Sequence, residues 1–448
     1  MMKKNIGIFT TSVVLSVAML FGCTRFEEED LFQESPALRI EHNAEKLQKI
    51  LVDAPQGWVV QYYTGRGVSV FEGFNLFAKF DKNGKVTMAG NHRFLRNGNA
   101  GKYSEASSLY ELILEDGLVL AFNTWNDILT PFVDPVAFWA APKNLVKDGE
   151  GMQGDQNLVV MKMNENEVIF RGERYDAEVR MVKADRDWQT YIDDTEAMKS
   201  RITNSAINSY YITDGDTVMY FSGLRGGRYL FCESLVDSRK KDKDSLSCCF
   251  TPTGFRNERV DTIGTHTFQE FKLNEAGTAL VSEDGSVQVI ATWDNYIVNA
   301  RTAVWNFDQE KVSEEQKSLL EQINAEANRF NKNYSLAQVG LGRSSGNKAV
   351  KGLVFTFYTN TAKTKTITAG VSLTTSLPDY GQMQISYSDE EVIDQNLTNM
   401  GKNSNVEPLV RQFAATLSGT YDIIPDDYFL PKGCELHAVG GGNEYILK

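Results

Sequence analysis

The chain has 448 residues, of which 42% are apolar, 11% aromatic and 23% charged, with 35 Gly and 10 Pro. These fractions are ordinary for a globular protein, and they exclude a collagen, a disulfide-rich miniprotein and a disordered chain. The formal net charge is −13. A protein this acidic is poorly suited to the phosphate backbone of a nucleic acid or to an anionic membrane surface.

Residues 1–22 have the pattern of an export signal peptide, in which Lys3 and Lys4 precede a short apolar run. The run ends in Gly22-Cys23, which resembles a bacterial lipobox, where the cysteine is acylated and becomes the first mature residue. Several acyl chains on one residue anchor a protein stably, whereas a single chain does not. The sequence therefore predicts lipid attachment at Cys23, and an ordinary signal peptide is the alternative. Loss of the two lysines and of no acid would take the net charge from −13 to −15.

An acidic stretch follows the predicted lipid site, at residues 27–30. It resembles the surface-export signal of Bacteroidetes lipoproteins, and a solvated tether is a compatible interpretation. We predict that residues 23–35 form an acylated N-terminal tether. We expect the protein at the outer membrane, lipid-anchored and displayed on the cell surface. No later apolar run in the sequence is long enough to span a bilayer.

Four segments have a helical pattern, at 36–53, 186–208, 313–330 and 406–417. The first begins at Ser35-Pro36, which fits an N-cap followed by proline at the first helical position. The third begins at Ser313, a good cap, with acids in its first turn. Strand patterns lie at 58–64, 71–80, 85–89, 118–122, 158–163, 167–172, 177–182, 351–358 and 383–387, and again from 217. Asn83-Gly84 and residues 164–166 predict tight hairpins.

The strands are grouped between single helices rather than alternating with them, which predicts an α+β fold. We expect β-rich antiparallel sheets, each preceded by an amphipathic helix. The predicted units are an N-terminal domain at 36–208 and a C-terminal region at 209–448. Similar strand segments at 60–65, 218–223 and 355–360 follow the three main helices. The C-terminal region could therefore repeat the first, although any buried strand that ends in a turn looks alike.

Several ordered segments carry a family resemblance, namely Ala54-Pro55-Gln56-Gly57-Trp58, Phe77-Ala78-Lys79-Phe80-Asp81, Leu118-Val119-Leu120-Ala121-Phe122, Gly149-Glu150-Gly151-Met152-Gln153-Gly154-Asp155 and Val168-Ile169-Phe170-Arg171-Gly172. Their order and spacing resemble a family of Bacteroidetes lipoproteins known as domain-of-unknown-function family 4302. The resemblance covers residues 35–200 well and implies an envelope lipoprotein. Such genes often accompany outer-membrane nutrient-uptake pairs of the SusC and SusD type. The family has no established activity, so no catalytic residues carry over.

Four aromatic residues cluster within the proline-containing segment 123–141, namely Trp125, Phe132, Phe138 and Trp139. Aromatic side chains in a loop can form a sugar-stacking or partner-binding surface. The alternative is a loop folded back on the core, with these rings buried. The sequence predicts them as ligand-binding candidates and leaves both interpretations open.

The cysteines and histidines carry weaker signals. In an oxidising envelope, Cys232 could form a disulfide with Cys248 or Cys249, and buried free thiols are the alternative. The four histidines are far apart and none has a His or Cys at metal-ligand spacing, so we expect no metal and no cofactor.

Together these patterns predict a non-catalytic binding or accessory lipoprotein of an outer-membrane nutrient-uptake locus. Its expected partners are the membrane and uptake proteins of the SusC and SusD type, without nucleic acid. One alternative is a secreted enzyme that hydrolyses glycan or peptide with carboxylates from separated segments. Another is a structural surface protein or adhesin.

Overall fold

A computed structural model describes residues 36–65, 72–114, 117–134, 151–176, 178–203, 209–232, 241–291, 304–376, 378, 381–429 and 431–448, without the side chains at 36, 37, 209, 229, 230, 232 and 241–244. These parts of the chain are rich in antiparallel strands and contain few helices. This confirms the β-rich, antiparallel part of the predicted fold class.

The helices of the described residues are α1 Pro36–Val52, α2 Thr130–Val133, α3 Trp188–Ile202, α4 Glu314–Phe330, α5 Gln395–Gly401 and α6 Val406–Thr416. The predicted helices at 36–53, 313–330 and 406–417 are confirmed to within one residue. The helix predicted at 186–208 is confirmed over Trp188–Ile202, and residues 204–208 of that prediction lie outside the described residues. Ser313 caps α4, and its hydroxyl accepts from the backbone N–H of Gln316 in a capping box. None of the described helices is both long and apolar enough to cross a bilayer.

The strands of the described residues are β1 Trp58–Tyr62, β2 Phe74–Phe80, β3 Lys85–Gly90, β4 Ser104–Leu114, β5 Leu118–Phe122, β6 Asn157–Met163, β7 Glu167–Gly172, β8 Glu178–Lys183, β9 Ser209–Thr213, β10 Val218–Ser222, β11 Arg228–Cys232, β12 Lys241–Thr251, β13 Gly254–Ile263, β14 His266–Leu273, β15 Leu280–Ser282, β16 Gln288–Ala291, β17 Trp305–Asn306, β18 Ser335–Arg343, β19 Lys351–Tyr358, β20 Thr366–Ser372, β21 Thr374–Ser376, β22 Gln382–Ser386, β23 Gly419–Pro425, β24 Cys434–Ala438 and β25 Glu444–Leu447.

Strands β1–β8 form a closed antiparallel barrel, because β1 pairs with both β2 and β8. The predicted hairpin turn at Asn83-Gly84 joins β2 to β3, and Gly84 has a φ of +78°, which glycine adopts without a steric cost. The hairpin at 164–166 joins β6 to β7. Helix α1 contributes Leu47, Ile50 and Leu51 to the core of this barrel, so the helix and the barrel share one hydrophobic core.

Strands β9–β16 form a second closed barrel, and β9 pairs with β10 and β16. Helix α3 precedes it and buries Ile202 in its core. The opposite end of α3 buries Tyr191 and Ile192 against Val59 and Phe77 on the outside of the first barrel. The predicted domain boundary at residue 208 therefore separates α3 from the second barrel, although α3 contributes to the core of that barrel.

A third hydrophobic core lies beyond the second barrel. The sheets β17–β20 and β21–β25 enclose it together with α4, α5 and α6. The loop between β23 and β24 places Phe429 in the core of the second barrel, and Asp427 pairs with Arg201 of α3 at 3.2 Å. The region predicted as one unit at 209–448 thus contains two hydrophobic cores within its described residues.

The three similar strand segments do not all occupy equivalent places. The segment at 60–65 includes most of β1, the first strand of its barrel, whereas the segment at 218–223 forms β10, the second strand of its own. Their similarity therefore does not identify matching strands of the two barrels.

His92 is buried in the first barrel, where its Nε2 lies 2.9 Å from the carbonyl oxygen of Ile128 and its ring centroid lies 4.6 Å from that of Phe132. Burial lowers the pKa of His92 to about 4. In the unfolded chain the pKa returns to about 6.5, so between these values the unfolded state binds more protons than the folded state.

We therefore predict that the contribution of His92 to the free energy of unfolding is fully retained above pH 6.5 and falls by up to about 3 kcal/mol as the pH drops to 4. Urea unfolding across this range measures the loss. His92→Gln should flatten this part of the profile, and His42→Gln on the exposed face of α1 should leave it unchanged. Equal slopes in the wild-type and His92→Gln proteins would contradict the prediction.

Candidate functional site

Trp125 is the exposed one of the two group members that the structure describes, with 51% of its surface accessible. Its indole N–H donates to the Asp127 carboxylate at 2.6 Å, and the Arg96 guanidinium lies 5.4 Å from the ring centroid. A single exposed aromatic ring is normal on a protein surface. Trp125 lines none of the cavities discussed below.

Phe132 is fully buried in the core of the first barrel, which corrects its assignment as a ligand-binding candidate. Its ring centroid lies 4.8 Å from that of Phe74 and 5.5 Å from that of Tyr62. The side chain enters the barrel core together with Ile128 and Leu129, as the alternative interpretation expects for Phe132. Phe138 and Trp139 lie outside the described residues, and so does Cys23.

The cysteine pair is not brought together. In the ladder of β11 and β12, Cys232 lies opposite Lys241, and Cys248 is seven residues further along β12. That separation is roughly 20 Å at the rise of a strand, far beyond the reach of a disulfide. Cys248 is a free thiol in the core of the second barrel. The prediction of a Cys232–Cys248 disulfide is therefore corrected to a buried free thiol at Cys248.

A cavity of about 520 Å³ lies where the two barrels meet. Strands β6–β8 of the first barrel form one wall, and β13, β14 and the turn after β15 form the other. Its charged lining includes Lys162, Glu167, Arg180, Glu270 and Asp284. We call this cavity the inter-barrel cleft. Clefts between domains are common binding sites for small molecules.

Arg180 joins the two walls of the inter-barrel cleft. Its Nε donates to Glu167 at 2.6 Å in its own barrel, and its Nη1 donates to Glu270 of the second barrel at 3.0 Å. The same Nη1 lies 3.3 Å from the amide oxygen of Gln61, which stands opposite Arg180 in the pairing of β1 with β8. Hydrogen bonds to charged groups of this kind are about twice as strong as neutral ones.

Arg256 makes the reciprocal connection from the second barrel to the first. It is only 4% exposed, and its Nη2 donates to Glu178 of β8 at 2.5 Å. Its carbonyl oxygen accepts from the hydroxyl of Tyr63 at 2.7 Å. Burial disfavours the charged guanidinium, but Tyr63 and Glu178 outweigh that effect and raise the pKa of Arg256. The buried cation therefore depends on groups from the other barrel.

Most of the carboxylates at or beside the cleft are held in contacts within the protein, whereas Glu283 on its lining is exposed. Glu167 and Glu270 accept from Arg180, and Glu178 accepts from Arg256. Hydrogen bonds from Ser282 and Ser286 lower the pKa of Asp284 to about 2. Among the described residues, no three His, Cys, Asp or Glu side chains are grouped as a metal site would require. The cleft presents fixed polar groups, an arrangement suited to binding a polar ligand.

Sequence reasoning missed Arg180, Arg256 and their partners. Arg180 is 90 positions from Glu270, and Arg256 is 78 positions from Glu178. Neither arginine stands out in its own strand, because β8 and β13 carry several other polar and charged residues. A local pattern also does not say which distant segment supplies the opposite charge.

Phe132→Ala tests the corrected role of that residue. We expect the substitution to lower the free energy of unfolding by about 3–5 kcal/mol, because it opens a cavity in a closed barrel. The matched change Trp125→Ala, at an exposed site, should stay within about 0.5 kcal/mol. Chemical denaturation of both variants measures the difference, and equal effects would contradict the assignment of Phe132 to the core.

Glu178→Ala tests the link between the barrels. We expect a loss of about 2 kcal/mol in unfolding free energy, because Arg256 stays buried without its counter-charge. Adding Arg256→Met should restore part of this loss, since no uncompensated charge then remains. Glu173→Ala, at an exposed carboxylate, is the control. Strictly additive single and double substitutions would argue against the coupling.

Comparisons with known proteins identify a family and no activity. No curated protein sequence matches the chain significantly. Among solved structures, the chain matches the DNA polymerase III subunit beta from Pseudomonas aeruginosa at 9% identity, covering 91% of this chain and 97% of that one, with a TM-score of 0.12. The DNA polymerase III beta chain from Streptococcus pneumoniae TIGR4 matches at 10% identity, covering 91% and 96%, with a TM-score of 0.12. Scores this low do not indicate a shared fold.

A family model described as a domain of unknown function, DUF4302, matches residues 28–275, which is just over half of the chain. The match begins in the segment before α1, covers the first barrel and continues through β9–β14 of the second, ending before β15 and β16. The chain belongs to this family, DUF4302.

Proposed function

We propose that this protein is a lipid-anchored component of the bacterial cell envelope that binds a ligand and does not transform it. It would act as an accessory protein of an outer-membrane nutrient-uptake locus in Bacteroidetes, beside uptake proteins of the SusC and SusD type. The expected position is the outer membrane, facing the cell surface.

One sequence observation carries the proposal, the apolar run that ends in Gly22-Cys23 behind two lysines. Acylation at Cys23 would supply the several acyl chains that a stable anchor requires. The acidic stretch at 27–30 supports transfer to the surface, and the segment up to residue 35 gives the folded body a tether.

The inter-barrel cleft supports a binding role. It lies between two domains and offers polar groups that are already fixed in position, which reduces the entropy lost on binding. The carboxylates of Glu167 and Glu270 both accept hydrogen bonds from Arg180. Carboxylates paired in this way are better suited to holding the two barrels together and contacting a ligand than to general acid–base catalysis. A hydrolase is therefore the second candidate function.

The architecture also supports a duplicated unit. Each barrel follows a helix that contributes side chains to the barrel core, and the strands of both barrels close in the same sequential order. Duplication of a helix-and-barrel unit would place a cleft between two similar bodies.

Cys23→Ser tests the anchor. We expect the wild-type protein in the membrane fraction, labelled by radioactive palmitate, and the variant in the soluble fraction without label, because the acceptor thiol is gone. Thr24→Ser is the matched control and should remain in membranes. Protease treatment of intact cells should degrade the wild-type protein if it is displayed on the surface.

Two outcomes would count against the proposal. If the Cys23→Ser protein stayed in the membrane fraction without acylation, the proposed lipid anchor would be wrong. Turnover of a glycan or peptide panel by the purified protein would replace the binding role with the hydrolase candidate.

A further inference from the structure

A second, separate groove lies on the outside of the first barrel, against the start of α3. Its volume is about 390 Å³, and its lining includes Gln56, Thr87, Tyr103, Glu105, Trp188 and Gln189. Among the described residues, it shares no lining side chain with the inter-barrel cleft. We call it the aromatic groove.

Trp188 is held rigidly in the aromatic groove. Its ring stacks on Phe77, with centroids 5.6 Å apart and planes inclined by 29°. Its indole N–H donates to the carbonyl oxygen of Gln56 at 2.7 Å. The side chain is only half-buried, so part of the indole remains accessible within the groove.

Tyr103 is fixed in a similar way just before β4. Its hydroxyl donates to the Glu105 carboxylate, and its ring packs against the same buried cluster around Phe77 that supports Trp188. It too is half-buried. Two aromatic rings supported by one buried cluster give the groove apolar surface that needs no ordering when a ligand binds.

Polar groups of both kinds surround the two rings. The carboxylates of Glu105 and Asp187 are acceptors, and the amide of Gln56 can both donate and accept. Lys79 adds an ammonium whose Nζ donates to the carbonyl oxygen of Pro55 at 2.9 Å. The groove thus combines two carboxylates and one ammonium with aromatic surface.

This combination selects a class of ligand. A phosphate or another strong anion would face two carboxylates and one ammonium, which disfavours it. A wholly apolar ligand would desolvate these polar groups without replacing their hydrogen bonds. A neutral sugar ring offers C–H faces for the aromatic rings and hydroxyl groups that can donate to carboxylates in charge-assisted hydrogen bonds. The volume also lies in the range of small-molecule sites.

We propose that the aromatic groove binds a neutral oligosaccharide, with Tyr103 and Trp188 supporting the sugar rings and Glu105 and Asp187 accepting from sugar hydroxyl groups. The inference rests on the proposed binding function and names the class of ligand. Trp188 also packs α3 against the first barrel. A variant that tests its role in binding must therefore keep that packing.

The experiment uses the mature chain carrying Cys23→Ser, which provides soluble protein. Neutral gluco-, manno-, galacto- and xylo-oligosaccharides of two to six units are screened on an array, and hits are measured by isothermal titration calorimetry. We expect at least one series to bind. Trp188→Phe, which keeps a ring over Phe77, and Tyr103→Ala should each weaken that binding about tenfold.

Glu105→Gln should also weaken binding, by about threefold or more, because it removes a charged acceptor at an exposed position. Trp125→Ala is the matched control, an exposed indole outside the groove, and should bind as the parent does. Far-ultraviolet circular dichroism and the cooperativity of unfolding of each variant must match those of the parent, and Glu105→Gln decides the result if either aromatic variant fails this requirement.

Two results would overturn the inference. Absence of binding to every neutral oligosaccharide would remove the ligand class, while the lipid anchor and the envelope role would stand on the Cys23 experiment. Binding that survives all three groove variants but falls with Arg180→Met would assign the sugar to the inter-barrel cleft. That outcome would retain the proposed binding function and reject the aromatic groove.

Discussion

The buried guanidinium of Arg256 is the contact on which the arrangement of the two barrels depends. It belongs to the second barrel but finds its counter-charge in Glu178 of the first, while Tyr63 binds its backbone carbonyl. A charge this deeply buried is costly without partners, so the two barrels can form a low-energy interface only in the register that supplies them. Arg180 reaches the other way to Glu270 and limits the remaining freedom.

The interface between the barrels fixes their relative position and forms the inter-barrel cleft. Further contacts between the barrels are made by Asn75, whose amide donates to the Phe250 carbonyl and whose oxygen accepts from the Cys249 thiol. Helix α3 then packs one end on the first barrel and places the other in the core of the second. Each barrel is closed, so the two do not join into one sheet. Their curved outer surfaces meet over a limited area, and the inter-barrel cleft lies beside it.

Helix α3 shapes the aromatic groove through its first turn. Trp188 and Gln189 line the groove, and Tyr191 packs against Phe77. Phe77 supports the ring of Trp188 directly, so the accessible surface of that groove is set by the buried packing beneath it. A binding surface supported in this way combines a rigid base with exposed polar groups at its rim, as preorganised sites generally do.

The sequence determined the local structure well where one segment carries its own signal. The cap at Ser313, the turn at Asn83-Gly84 and the apolar faces of α1 and α3 depend on residues a few positions apart, so they can be read directly. The long strand β4 was missed, because its exposed positions break the apolar alternation. The burial of Phe132 could not be decided from the sequence, because the segment around it has no periodic apolar pattern.

The tertiary structure alone decided barrel closure, the third hydrophobic core and both candidate sites. Pairing β1 with β8 joins residues more than a hundred positions apart, and no local pattern specifies which distant edge a strand will meet. The same holds for Arg256 with Glu178 and for Tyr103 beside Trp188, whose proximity follows from how barrels and helices pack. The sequence alone predicts Cys23 as the anchor point, because acylation depends on a short linear segment that needs no folded partner.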